Sequence, residues 1–308
     1  MACRLKSLLV CPTLNPGASF SEWIVALKSQ EYYPDKVLII DSGSNDHSVV
    51  LAENAQLEVS QIAKLEFDHG GTRQKAVVEN PGYGIVIFLT QDAILSNPDD
   101  LQKIMQYFEN ENIAAVCGRQ LPRKQAGVIV RHARLFNYPQ ESVIRKYDDK
   151  AELGLKTAFL SNSFAAYRVS ALLEVGGFPT NVIFGEDMYI AAKLLKAGYS
   201  IAYAADACVY HSHAYSIFQE MERYFDMGVF HAREPWLKQE FGGAEKEGLK
   251  FIESELRYIW QHAFWRIPEA LLRTVFRYIG YKTGKVERYI PLKIKRKISM
   301  NPGYFNTA

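Results

Sequence analysis

The chain has 308 residues, 48% of them hydrophobic and 23% charged, with a formal net charge of +2. That is enough apolar material for a full buried core and too much for a disordered chain, and so small a net charge points to no nucleic-acid partner. The balance is uneven, however: from Lys246 to Lys297 thirteen Lys or Arg face five Glu, so the C-terminal segment is strongly basic and predicts an anionic surface or substrate nearby.

Near the N-terminus, Arg4 and Lys6 precede the run Leu8-Leu9-Val10-Cys11, which stops at Pro12. This is too short for a signal peptide, and no apolar stretch of bilayer-spanning length follows. The run reads instead as a buried strand ending in the turn Asn15-Pro16-Gly17. Phe20, Trp23, Ile24 and Leu27 then fall at helical spacing behind Ser19, a good N-cap. Val37 to Ile40 is a second continuous apolar strand, closed by Asp41-Ser42-Gly43-Ser44-Asn45-Asp46. A weaker strand is expected within Ile62 to Phe67, then the loop Asp68-His69-Gly70-Gly71 and a helix through Val78.

Ile85 to Leu89 is another buried strand, with Thr90-Gln91-Asp92 just past its end. Pro98 to Phe108 reads as a helix and Ile113 to Cys117 as a strand. Residues 119–156 form a basic, irregular insertion containing a helix. Regularity returns with a strand from Phe164 to Tyr167, a helix from Ser170 to Val175 and the turn Gly176-Gly177-Phe178-Pro179. A helix from Glu186 to Lys196 and a strand from Ser200 to Tyr203 follow. After His213 the chain is helical. Leu249, Ile252, Leu256, Ile259 and Ala263 share one helical face, and Leu272, Val275, Phe276 and Ile279 share another. Cys3, Cys11, Cys117 and Cys208 are scattered with no CxxC pair, which fits a reduced, cytosolic setting.

Continuous apolar strands joined by helices predict an α/β fold, a mostly parallel central sheet with helices on both faces and a C-terminal helical extension. Ligands bind beyond the carboxyl ends of such strands, where Asp41 and Asp92 both stand. Asp92 can bind Mg²⁺ or Mn²⁺, which favour oxygen ligands and keep positions open for diphosphate oxygens; an N-cap or solvated turn is the plainer reading. Asp41 can meet a base or ribose, although its surroundings are also ordinary turn chemistry. Gly70-Gly71-Thr72-Arg73 allows close backbone approach of a phosphate at Gly71, with Arg73 as a clamp. No G-x-G-x-x-G follows the first strand and no P-loop motif occurs, which weighs against dinucleotide redox chemistry and P-loop hydrolysis. Glu186-Asp187 opens a helix and offers a general base or a simple charge-dipole cap. His211 and His213 are spaced to point one way and could complete a metal site with Asp92.

Together these motifs resemble a family 2 glycosyltransferase of the GT-A fold, over roughly residues 5 to 216. Val10-Cys11-Pro12-Thr13-Leu14-Asn15 resembles its opening strand and P-T-x-N turn. Asp41 to Asp46 resembles the nucleotide-binding D-x-G-S-x-D, and Thr90-Gln91-Asp92 stands where D-x-D belongs. Arg168 to Phe178 resembles R-x-x-x-L-x-x-V-G-G-F, and Gly185-Glu186-Asp187 with Leu194 to Tyr199 resembles G-E-D…L-x-x-x-G-Y. Within that family, Phe67 to Arg73 and Phe88 to Ala93 resemble bacterial rhamnosyltransferases of O-antigen and other surface-polysaccharide pathways.

The resemblance implies inverting transfer from dTDP-L-rhamnose to a lipid-linked oligosaccharide at the inner face of the cytoplasmic membrane. Asp187 would be the base beside Glu186. Donor contacts would come from Thr13, Asn15, Asp41, Gly71, Arg73 and Gln91, and a metal would lie at Asp92. Thr90 departs from the first Asp of D-x-D, and Ser42 from a second Asp after the strand. The implied division is a catalytic domain over 1–216 (donor half 1–118, acceptor half 119–216) and a basic amphipathic region over 217–308. In that region, Trp260, Phe264, Trp265, Phe276, Tyr278 and Tyr281 interleave with Arg266, Arg273, Arg277 and Lys282, as suits an anionic membrane or a second subunit. Two other readings also place carboxylates at strand ends: a sugar-phosphate nucleotidyltransferase, and a non-catalytic carbohydrate-binding protein on the same fold.

Overall fold

The computed structural model describes residues 5–243 and 245–306, the side chains of 245 and 246 excepted, so Cys3 and Arg4 lie outside the described residues. The first half alternates strictly: β1 (Ser7–Thr13), α1 (Ser19–Lys28), β2 (Lys36–Asp41), α2 (Ser48–Asn54), β3 (Glu58–Gln61), α3 (His69–Glu79) and β4 (Ile85–Leu89). These strands stand side by side in the order β3-β2-β1-β4, all parallel. Successive side chains of a strand point to opposite faces. Val10, Leu38, Val86 and Phe88 therefore enter one hydrophobic core, and Leu9, Ile39, Ile85 and Ile87 the other. Burial on both faces is why these strands read as unbroken apolar runs.

The second half adds β5 (Ile94–Leu95), α4 (Asp100–Gln106), β6 (Ile113–Leu121), α5 (Val128–Asn137), β7 (Val143–Arg145), α6 (Lys150–Leu153), β8 (Phe164–Arg168), α7 (Val169–Glu174), α8 (Glu186–Lys196) and β9 (Ser200–Tyr210). The sheet continues β4-β8-β6-β9-β5, with β7 also on β9. Because β8 runs antiparallel between β4 and β6, the sheet as a whole is mixed, and its all-parallel part is the N-terminal half.

Three local expectations shift. The third strand is Glu58–Gln61, not Ile62 to Phe67, which leaves the sheet with Leu65 93% exposed. Ser19 is the first helical residue rather than the N-cap, and its hydroxyl donates to the Pro16 carbonyl at 3.0 Å. Gly70 and Gly71 belong to the first turn of α3, capped by Asp68. Gly70 is required there: a Cβ would strike the Pro179 carbonyl.

The C-terminal helices are α9 (Ile217–Arg233), α10 (Pro235–Phe241), α11 (Glu245–Ala263), α12 (Ile267–Lys285) and α13 (Leu292–Lys297). They share the core on one face of the sheet: Phe225, Val229, Phe230, Leu237, Phe241 and Phe305 pack into the same cluster as Val10 and Phe88. α12 lies along α9 at backbone contact, because a Cβ on Gly280 would meet the Met221 carbonyl and one on Gly284 the Phe225 carbonyl.

The inward face of α12 is polar, contrary to its sequence pattern. Arg273 and Arg277 turn in to Glu220 at 2.9 and 2.8 Å, and Arg277 also reaches Glu255 at 3.3 Å. Leu272, Val275 and Ile279 face outward, and Phe276 is half-buried against Phe218. No helix among the described residues is long and apolar enough to cross a membrane. Gly280→Ala forces a methyl into the α9 backbone and is expected to cost about 1–3 kcal/mol, read as a lower denaturation midpoint. An unchanged midpoint would show that α9 and α12 separate freely.

Candidate active site

The parallel register places Thr13 opposite Asp41 at the carboxyl ends of β1 and β2. Asp41 is buried. Its carboxylate accepts from the Thr13 hydroxyl at 3.2 Å and from the Gly43 and Ser44 N–H groups at 3.1 and 2.9 Å. The next loop is stitched to the first: Asn15 N–H donates to the Ser44 hydroxyl and Asn45 N–H to the Asn15 side-chain carbonyl, both at 2.8 Å. Gln91 mimics a strand, its amide bonding both N–H and C=O of Leu14 at 2.8 and 3.2 Å. Thr13, Asn15, Asp41 and Gln91 thus form one cradle over the ends of β1, β2 and β4.

Asp92 lies just beyond. One carboxylate oxygen accepts from the Thr90 hydroxyl at 2.9 Å, and the other sits 3.2 Å from His211 Nε2 and 3.3 Å from His213 Nε2. The histidines arrive there because β9 bulges against β6: the register jumps between Gly118 and Arg119, and His211 N–H continues the ladder to the Leu121 carbonyl at 2.9 Å. Burial favours the neutral Asp92 carboxyl, but the hydrogen bond and charge of His211, then His213 and Thr90, outweigh it and hold the pKa well below the ordinary value. His213 is pushed down to about 4, first by burial and then by His211. One ionised carboxylate and a neutral imidazole are what a divalent cation needs, and the three ligand atoms lie within 4.8 Å of one another. The donor set fits a metal.

Two residues absent from the sequence reading organise this centre. Gln120 Oε1 accepts from His211 Nδ1–H at 2.8 Å and from Arg134 at 2.5 Å, and its amide N–H donates to the Ser161 hydroxyl at 2.9 Å. Asn162, the next residue along, donates its N–H to Asp187 at 3.3 Å and its amide N–H to Glu186 at 3.0 Å. It accepts the Tyr167 hydroxyl at 2.6 Å. Residues 161–163 therefore sit between the Asp92 cluster and the carboxylate pair. Their only sequence signal is a polar Ser-Asn-Ser ahead of an apolar strand.

Glu186 and Asp187 begin α8 after Gly185, whose φ of 75° and contact with Phe230 both exclude a side chain. Arg73 is buried, 3.3 Å from Glu186, with its guanidinium over the Phe88 ring and a hydrogen bond to the His69 carbonyl at 2.6 Å. Burial disfavours the Glu186 charge, yet Arg73 and then His69 hold its pKa below the usual value. Asp187 goes the other way, raised by burial and then by the Glu186 charge. The Gly71 N–H is taken by Asp68, and Asn301, from the C-terminal segment, hydrogen-bonds the His69 ring.

Residues 9–176 match Glycosyl transferase family 2. The chain belongs to that family. It is 46% identical over 303 residues to the O-antigen chain rhamnosyltransferase RfbN of Salmonella typhimurium, covering 98% of this chain and 96% of that one. The O-antigen chain rhamnosyltransferase WbaN of Salmonella anatum is equally similar, 46% over 299 residues, or 97% and 95% of the two chains. Among solved structures, the fold resembles mannosyltransferase PcManGT from Pyrobaculum calidifontis in complex with GDP-Man and Mn²⁺. The TM-score is 0.64 at 16% identity, over 93% of this chain and 89% of that one. S. aureus TarS 1-349 gives 0.56 at 16%, over 98% and 87%. This family 2 transferase is thus a hexosyltransferase with the GT-A fold, and the nucleotidyltransferase and non-catalytic readings fall away.

Gln120 fixes the His211 ring, so Gln120→Ala is expected to weaken Mn²⁺ binding about 10–100-fold by calorimetry or paramagnetic titration. An unchanged affinity would show that His211 needs no such support.

Proposed function

We propose that this transferase moves L-rhamnose from dTDP-L-rhamnose, with inversion, onto a hydroxyl of a lipid-linked O-antigen glycan. The observation that carries this reading is the near full-length identity to two O-antigen chain rhamnosyltransferases. The domain division assigns 1–118 to the donor, 119–216 to the acceptor and 217–308 to a basic amphipathic helical region. The reaction is assigned to the cytoplasmic side of the membrane, where a lipid-linked acceptor would be met.

In the proposed mechanism, the acceptor hydroxyl attacks the anomeric carbon from the face opposite the diphosphate. A C–O bond forms, the bond to the nucleoside diphosphate breaks, and the acceptor proton passes to the Asp187 carboxylate. The raised Asp187 pKa suits a base that must take a proton and later release it. Glu186, held ionised by Arg73 and Asn162, is a positioning residue that keeps Asp187 basic. Asp41 anchors the Thr13–Asn15 and Ser42–Asp46 loops as a nucleoside cradle, closed over β4 by Gln91. Gly71 and Arg73, near the start of α3, are assigned to the diphosphate or the sugar. Asp92, His211 and His213 would hold Mg²⁺ or Mn²⁺. The bound cation would neutralise charge on the departing diphosphate.

Purified protein should turn over dTDP-L-rhamnose, in preference to GDP-mannose or UDP-GlcNAc, on membrane-extracted lipid acceptors, and lose activity with EDTA. Turnover of another donor alone would reject the rhamnose assignment. Asp187→Asn should lower kcat about 10²–10⁴-fold with little change in donor affinity, and near-normal turnover would remove Asp187 as base. Because Asp187 must be ionised and its pKa is raised, activity should fall as pH drops through a value above the ordinary ~3.9 of aspartate. Glu186→Gln removes a negative neighbour and should move that acidic limb to lower pH. A limb that stays in place or moves up would contradict the coupling.

A further inference from the structure

The outward face of α12 is apolar because its inward face is taken by arginines and glycines. Leu271, Leu272, Val275, Tyr278 and Ile279 recur at helical spacing on the exposed side. The stripe is extended at its N-terminal end by the corner between α11 and α12. There Trp260, Phe264 and Trp265 are 70%, 61% and 67% exposed. Three large aromatic rings left in solvent next to an aliphatic stripe are a concentration of exposed apolar side chains of the kind that marks an interaction site.

The charges around it choose the partner. Lys282, Lys285, Arg288 and Lys293 are exposed where the stripe ends, with Lys282 over the Tyr278 ring and Arg288 over the Tyr289 ring. Between residues 264 and 297, all of them described, the acids are Glu269 and Glu287. Glu269 bonds Arg266 and Arg273, and Glu287 is buried against Arg233 and Lys295, so neither offsets that rim. A second copy of the chain docking through this face would bring the same cations and no free acidic counterpart for them. An anionic lipid surface meets both features, taking the aromatic corner and the aliphatic stripe into its interface and the cations at its headgroups.

We propose that the α11–α12 corner and the outer face of α12 insert into the interfacial layer of an anionic bilayer, with the Lys282–Lys293 cations on its headgroups. Apolar insertion is the main contribution and charge the secondary one, since Arg273 and Arg277, the cations at the middle of the helix, are spent inside the protein. The site deepens the membrane-side placement of the proposed function. Its test uses neither donor nor acceptor, so the two stand or fall separately.

Flotation of the full chain with phosphatidylcholine vesicles, with and without phosphatidylglycerol, reads the proposal directly. The protein should float with the phosphatidylglycerol vesicles, shift its tryptophan emission to shorter wavelength, and keep much of its binding at about 0.5 M salt, where exposed charges are screened. Trp265→Glu with Leu272→Glu, both at exposed positions, should leave the circular dichroism spectrum unchanged and weaken vesicle binding about tenfold or more. Lys282→Glu with Arg288→Glu should weaken binding to phosphatidylglycerol vesicles at low salt and leave binding to phosphatidylcholine alone unaltered. A wild-type protein that floats with neither vesicle, or a Trp265→Glu, Leu272→Glu protein that floats as the wild type does, would overturn the proposal. So would a wild-type dimer that this double substitution dissociates without any vesicle binding, which would make a second copy the occupant.

Discussion

The buried pair of Arg73 and Glu186 is the constraint on which the site depends. Two charges withdrawn from water are costly unless their remaining hydrogen-bonding capacity is met. Here Glu186 receives Asn162 as well as Arg73, while Arg73 also bonds the His69 carbonyl and lies over Phe88. Arg73 and His69 lie in α3, Phe88 in β4, Glu186 in α8 and Asn162 in the turn ahead of β8, so the pair ties these four segments together even though Arg73 Nε is left without a hydrogen-bond partner. It also separates two adjacent carboxylates by role. With Glu186 held ionised, the next negative charge is harder to place, and Asp187 carries the raised pKa.

The Asp92 centre answers the missing carboxylate of D-x-D in a different currency of ligands. Thr90 cannot bind a cation with a negative oxygen, but its hydroxyl fixes one Asp92 oxygen and leaves the other facing two imidazoles. The resulting donor set carries one negative charge, with nitrogen in place of the second carboxylate. Nitrogen donors suit Mn²⁺ better than Mg²⁺, whose preference is for oxygen. Since Gln120 touches both His211 and Ser161, this centre and the carboxylate pair are neighbours through a single stretch of backbone.

The strands that carry Thr13, Asp41 and Asp92 were legible because burial on both faces writes a continuous apolar run into the sequence, and α8 because Gly185 and Gly198 bracket it. β3 was misplaced because it is a polar edge strand, paired on one side by β2, and its neighbour Ile62 to Phe67 is more apolar yet lies outside the sheet. Gln120 carried no local signal, and Asn162 only the polar Ser-Asn-Ser ahead of β8. Each matters through contacts made across dozens of residues, which only the closed sheet brings together. α12 misled for a related reason. Its amphipathic pattern is real, but ion pairs with Glu220 and Glu255 outweigh the apolar side in choosing which face turns inward.

The glycine contacts between α9 and α12 carry a mechanical consequence. Gly280 and Gly284 meet α9 at backbone level a full helical turn apart, which fixes rotation as well as distance. Farther along, α9 presses Phe230 against Gly185, immediately before the carboxylate pair. The outer face of α12 and the start of α8 are therefore ends of one stiff bracket. With the membrane contact proposed above at one end, the other end would work at a height set by the helices, a length built into the fold rather than a matter of diffusion.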